Sequence, residues 1–121
     1  MRVIPWETIV EASWTRDLEL ENPQFPNGVL QFEVATEEKR WLLRFGSVQA
    51  WKVTAEEYAG LFLSMLPEEG ALFIVEESPW PRELDAVEEL QKSKHFVVCC
   101  YDEVIEVLAW DCVIAPVRAS E

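Results

Sequence analysis

A chain of 121 residues has the length of one ordinary domain, and a 50% hydrophobic content with six Trp and six Phe excludes a disordered acidic polymer. Its 23 acidic residues against 10 basic ones give a net charge of -13, which excludes docking on nucleic-acid phosphates or anionic lipid and favours a basic partner. Cys99, Cys100 and Cys112 lack the spaced pairs of a disulfide framework, and the chain shows neither a leader-like start nor a run of about 18 apolar residues, so the expected location is the cytoplasm.

Residues 8–14 and 17–21 read as strands, the second alternating polar and apolar positions as a half-exposed edge does. Asn22, Pro23, Pro26, Asn27 and Gly28 then gather turn chemistry, which predicts a loop over 22–28. Leu30, Phe32 and Val34 alternate with Gln31 and Glu33, and Trp41, Leu43 and Phe45 with Arg40 and Arg44; strands over 29–36 and 40–46 follow, joined by a hairpin loop. A third strand over 48–53 completes an expected three-stranded meander, with Arg40, Arg44 and Lys52 on its exposed face opposite Glu33.

Thr54 and Glu57 have the spacing of a capping box, and Tyr58, Leu61, Phe62 and Met65 form one apolar stripe, so a helix is predicted over 55–66, covering one face of the sheet. The apolar run 71–75 predicts a central strand. Ser78 before Pro79, followed by Leu84, Val87 and Leu90 at a spacing of three, predicts a second helix over 82–91. Residues 94–101 are strand-like, 103–110 fit a strand or a short helix with the strand preferred, and 111–116 make a last strand. The expected fold is a single α+β domain over 1–121: a mainly antiparallel sheet of about six or seven strands with one or two helices packed on it.

His95, Cys99, Cys100 and Cys112, with Asp102 close by, are zinc's ligand types, but adjacent cysteines in a strand point to opposite faces and no Cys-x-x-Cys pair exists. Ordinary core thiols are expected, with no metal and no cofactor. His95 is the only histidine, so any Ser-His-Asp or Cys-His catalyst must use it; no Gly-x-Ser-x-Gly elbow accompanies it, and a structural or solvated side chain and a non-enzymatic protein are expected. The carboxylates at 68–69, 76–77, 83–89 and 102–106 read as a solvated face, and the four isolated glycines make no phosphate cradle.

The charge is uneven. Residues 1–60 carry 10 acids and 6 bases, whereas 61–121 carry 13 acids and 4 bases. Most of the six tryptophans are expected in the core, but Trp80 lies between two prolines beside Glu76, Glu77 and Glu83, an aromatic anchor in an acidic rim of the kind protein interfaces favour. The expected partner-binding surface is therefore Glu76, Glu77, Trp80, Glu83, Asp85, Glu88 and Glu89.

Residues 45–54, 77–80 and 95–109 resemble segments of small, uncharacterised acidic bacterial proteins. In size, acidity and lack of a catalytic motif the chain is also similar to immunity proteins of polymorphic and contact-dependent toxin systems. That resemblance implies a cytoplasmic inhibitor that occludes a basic toxin, and carries over no residue roles. The alternatives are a small-ligand-binding protein or an enzyme of unknown chemistry, and a structural subunit of an assembly.

Overall fold

Residues 30–35 and 40–46 keep the alternation of the sequence. In the computed structural model, which describes residues 2–6, 8, 10, 18–67, 70–83 and 93–118, they form β3 (Leu30–Ala35) and β4 (Arg40–Gly46), paired antiparallel with Val34 opposite Trp41. Before them run β1 (Arg2–Pro5) and β2 (Glu19–Gln24). After them come β5 (Ala50–Ala55), β6 (Leu72–Glu76), β7 (Lys94–Cys99), β8 (Glu103–Ala109) and β9 (Asp111–Pro116). Among the described residues all pairings are antiparallel, and the strands make two sheets, β1-β6-β7-β8-β5 and β2-β3-β4-β9. The turn between β2 and β3 uses the predicted chemistry: Asn27 and Gly28 both have positive φ, 52° and 79°, and the Val29 N–H donates to the Pro26 carbonyl at 3.0 Å.

The sheets pack face to face. Leu30, Phe32, Val34, Trp41, Leu43 and Phe45 meet Phe96, Val98, Ile105, Val107 and Ala109 in the main core. The other face of the five-stranded sheet carries Phe73, Val75, Val97, Cys99 and Val104 under Ala59, Phe62, Leu63 and Leu66. Cover on both faces is why β7 and β8 read as nearly unbroken apolar runs. Each fully buried Phe or Leu contributes about 2 kcal/mol of transfer free energy.

The α+β expectation is overturned: among the described residues the fold is almost wholly antiparallel β, and no helix reaches two turns. Where a helix was predicted over 55–66, β5 runs on to Ala55, so Thr54 is a strand residue opposite Val104 and makes no cap. What remains is a 3₁₀ turn, Glu56–Tyr58, and one α-turn, Gly60–Leu63. Gly60 costs a helix about 1 kcal/mol relative to Ala, and burying Phe62, Leu63 and Leu66 on the sheet does not require a continuous helix. Of the second helix predicted over 82–91, residues 82–83 end a 3₁₀ turn, Trp80–Glu83, and 84–91 lies outside the described residues, as does most of the strand predicted over 8–14.

The meander is corrected as well. After β4 the chain bends at Ser47, with φ at 51°, and crosses to the other sheet, where β5 pairs with β8. Lys52 therefore faces Glu106 across the strands instead of standing near Glu33. Arg40 does pair with Glu33, at 3.5 Å, and with Glu21 on β2. No helix among the described residues is long and apolar enough to cross a membrane.

Candidate functional site

Two regions of the sandwich, one end and one outer face, concentrate chemistry, and they do so differently. At that end, the β3–β4 loop, the start of β2, the β7–β8 turn and the end of β5 meet. A Tyr101 N–H to Leu18 carbonyl bond of 2.8 Å joins the two sheets there, and a Glu56 N–H to Asp102 carbonyl bond of 2.8 Å fixes the 3₁₀ turn beside them. The sequence thereby brings Glu19, Glu37, Glu38, Glu56, Glu57, Asp102 and Glu103 to one end, with both tyrosines of the chain, Tyr58 (81% exposed) and Tyr101 (66%), standing among them.

Glu19, Ala35, Thr36, Glu37, Glu38 and Tyr101 line an open hollow of about 500 Å³. The bases of this end, Lys39, Arg40 and Arg118, stand to one side, in a neighbouring hollow shared with Glu33, Glu37 and Glu38. Burial, and secondarily the charge of Asp102, raises the Glu103 carboxyl above its ordinary range, so this end gains from an added positive charge.

On the outer face of the five-stranded sheet, the side that carries Val97, Cys99 and Val104, a polar chain is buried. The Ser78 hydroxyl oxygen accepts the Trp80 N–H at 3.2 Å and lies 2.7 Å from His95 Nδ1; His95 Nε2 lies 2.9 Å from Glu106 Oε1; and Lys52 Nζ lies 3.6 Å from Glu106 Oε2. With Ser78 donating to Nδ1 and Nε2–H donating to the Glu106 carboxylate, every atom of the chain is satisfied. His95 and Glu106 are each 6% exposed. The Trp80 ring closes the chain, 4.9 Å from the His95 ring, with Lys52 Nζ 4.7 Å above its centroid.

Of the two readings of His95, structural or solvated, the structure has the first, and it corrects the picture of Glu106 as part of a solvated acidic face. A charge inside the buried run Val104–Ala109 requires a partner, and the chain's only histidine supplies it. That acid in an apolar strand was the one sequence signal for the cluster. No pattern at 78, 95 and 106 announced it, because the three are brought together by strand register.

The partner-binding residues expected from sequence are only partly reunited. Glu76 ends β6 and pairs with Arg2 of β1, and Glu77 is exposed with φ at 55°. Trp80 is half-buried against His95, Glu83 ends the 3₁₀ turn, and Asp85, Glu88 and Glu89 lie outside the described residues.

The cysteines are all free. Cys99 and Cys100 pack on opposite faces of their sheet, and burial pushes the Cys100 thiol well above its ordinary value. Cys112 packs from β9, its thiol pushed up to about 12 mainly by burial. Among the described residues no three His, Cys, Asp or Glu side chains are arranged to hold a metal. No family model, no curated protein and no solved structure matches the chain.

Proposed function

We propose that this is a non-enzymatic acidic binding protein, an inhibitor of the immunity kind, that occludes a basic protein such as a toxin domain in the cytoplasm. The observation that carries the reading is the acidic end, where seven carboxylates surround two exposed tyrosines. Carboxylates steer a basic partner and raise its on-rate, while tyrosine supplies rigid contact area at low entropic cost and a π face for Lys or Arg. Of the expected surface, Glu76, Glu77 and Trp80 enter the proposal as a second contact, at the far end of the same sheet. The three free thiols suit a reducing compartment.

The test is affinity capture with the wild-type chain at low and high salt, beside two charge-reversed variants, Glu37→Lys/Glu38→Lys and Glu76→Lys/Glu77→Lys. The reading expects a basic protein held at low salt and lost from the first variant. Capture of neutral or acidic proteins alone, unaffected by either reversal, contradicts it.

A second reading is favoured by one observation. Ser78, His95 and Glu106 are connected as hydroxyl, imidazole and carboxylate, the connectivity of acyl-transfer triads, which are recognised by geometry and not by chain order. Two features oppose it: Ser78 Oγ is already engaged by the Trp80 N–H, and Trp80 lies against the imidazole. A fluorophosphonate probe decides: labelling of wild type that is lost in Ser78→Ala establishes the nucleophile, and unlabelled wild type leaves the chain a structural clamp.

A further inference from the structure

We infer that the open edge of β5 is a docking strand, and that its occupant is an extended segment of the basic partner added to the five-stranded sheet. The inference rests on the reading of the protein as a binder of basic proteins and names the mode of contact.

Among the described residues the two sheets leave four edges, β1, β5, β2 and β9. Edge strands present unpaired N–H and C=O groups, and proline is one of the devices that blunts them. The register shows which groups face outward, because in an antiparallel pair alternate residues turn their backbone to the neighbour and to the open side. On β1, the Trp6 N–H donates to Leu72, so Ile4 and Arg2 also face β6, and the outward positions are Val3 and Pro5; Pro5 has no N–H. On β9, the Val117 N–H donates to Arg40, so Ala115, Val113 and Asp111 face β4, and the outward positions are Cys112, Ile114 and Pro116; again one lacks its N–H. On β2, Pro23 sits within a register shift between Glu21 and Gln24, and Asn22 has φ at 51°.

β5 has no such device. The Glu56 N–H donates to Asp102, so Thr54, Lys52 and Ala50 face β8, and Trp51, Val53 and Ala55 turn three consecutive outward N–H and C=O pairs to the open side. The side chains beside that row are apolar and exposed: Trp51 is 38% and Val53 46% exposed, and Phe25 (48%) meets Trp51 edge-on at 6.1 Å. The one charge on the strand, Lys52, is drawn to Glu106 and the Trp80 ring. A bare edge with an aromatic shelf is what strand addition uses, main-chain bonds giving affinity and alternate side chains giving specificity.

Charge selects the occupant. At -13 a second copy of this chain is repelled, and β5 runs directly into Glu56 and Glu57 at the acidic end, so a basic segment is favoured. Alternation fits the edge: apolar residues of the added strand fall on the Phe25 and Trp51 side, and Lys or Arg residues near Glu56 and Glu57.

The test uses two synthetic peptides of about eight residues, valine alternating with lysine and valine alternating with glutamate, titrated into the full chain with backbone amides followed by NMR and hydrogen exchange. The inference expects the lysine peptide to protect the amides of Trp51, Val53 and Ala55, the glutamate peptide to bind more weakly by about tenfold or more, and Val53→Lys to lower the affinity of the lysine peptide by about tenfold while leaving the spectrum folded. If the lysine peptide binds at Glu37 and Tyr101 without protecting those three amides, the edge inference is overturned and the basic-partner reading stands. If both peptides protect them equally, the choice of a basic occupant is overturned. Protection that rises with protein concentration alone assigns the edge to a second copy, and absence of binding by either peptide at millimolar concentration overturns the docking strand.

Discussion

Two regions of the sandwich hold similar side chains in opposite states. At one end, six exposed carboxylates and the half-buried Glu103 gather with two exposed tyrosines; on the outer face of the five-stranded sheet a single carboxylate, Glu106, is buried with a histidine, a serine and a lysine arranged about it. A solvated acid costs the fold little and is free to steer a partner, whereas a buried acid is tolerated only while its hydrogen bonds are complete. Charge at the solvated end is therefore available for binding, and the charge of Glu106 is committed to structure.

The largest expected effect comes from breaking the buried chain. His95→Ala leaves Glu106 without its donor and Ser78 without its acceptor, and should lower unfolding free energy by about 3 kcal/mol in a denaturant titration. Ser78→Ala removes the turn contact and one bond to His95, and should cost about 1 kcal/mol. A loss below about 0.5 kcal/mol for His95→Ala, within the range of ordinary surface changes, would show that the chain is not structural and end the contrast.

Charge reversal at the acidic end should do the reverse. Glu37→Lys with Glu38→Lys should move stability by less than about 0.5 kcal/mol, because both side chains are exposed, while slowing association with a basic partner by about tenfold. The effect should shrink as salt rises, since exposed charges are screened.

A smaller effect follows from Glu103. Its carboxyl binds a proton more tightly in the folded chain than in the unfolded one, so its contribution to stability is present at acid pH and is lost as pH rises through the raised value. Glu103→Gln should accordingly be slightly more stable than wild type at neutral pH, with the difference vanishing once both states of wild type are protonated. Smallest of all, Cys112, with its thiol at about 12, should alkylate slowly with iodoacetamide at pH 8, and unfolding should release all three thiols to react.

Much of the strand pattern was legible because alternation is a local signal. Phe32 with Val34 and Trp41 with Phe45 give the core face of β3 and β4 directly, and Asn27-Gly28 gives the turn before them. The helix over 55–66 misled because Tyr58, Leu61, Phe62 and Met65 have helical spacing while Thr54 is held in β5 by its pairing with β8, a contact about fifty residues distant that no window can see. The same non-local pairing decided the sites. Trp80 and its acidic neighbours were visible as a segment, whereas Tyr101, Glu37 and Glu19 converge from three separate stretches, and Ser78, His95 and Glu106 from three strand ends or strands.

The central claim is that the solvated end is the binding end, and a salt-dependent titration of a lysine-rich peptide into wild type, Glu37→Lys/Glu38→Lys and Glu76→Lys/Glu77→Lys tests it most directly. The account predicts binding to wild type that weakens steeply with salt, loss of about tenfold or more in affinity in the first variant and a smaller loss in the second. Binding indifferent to salt, or equal in wild type and the Glu37/Glu38 variant, would contradict it.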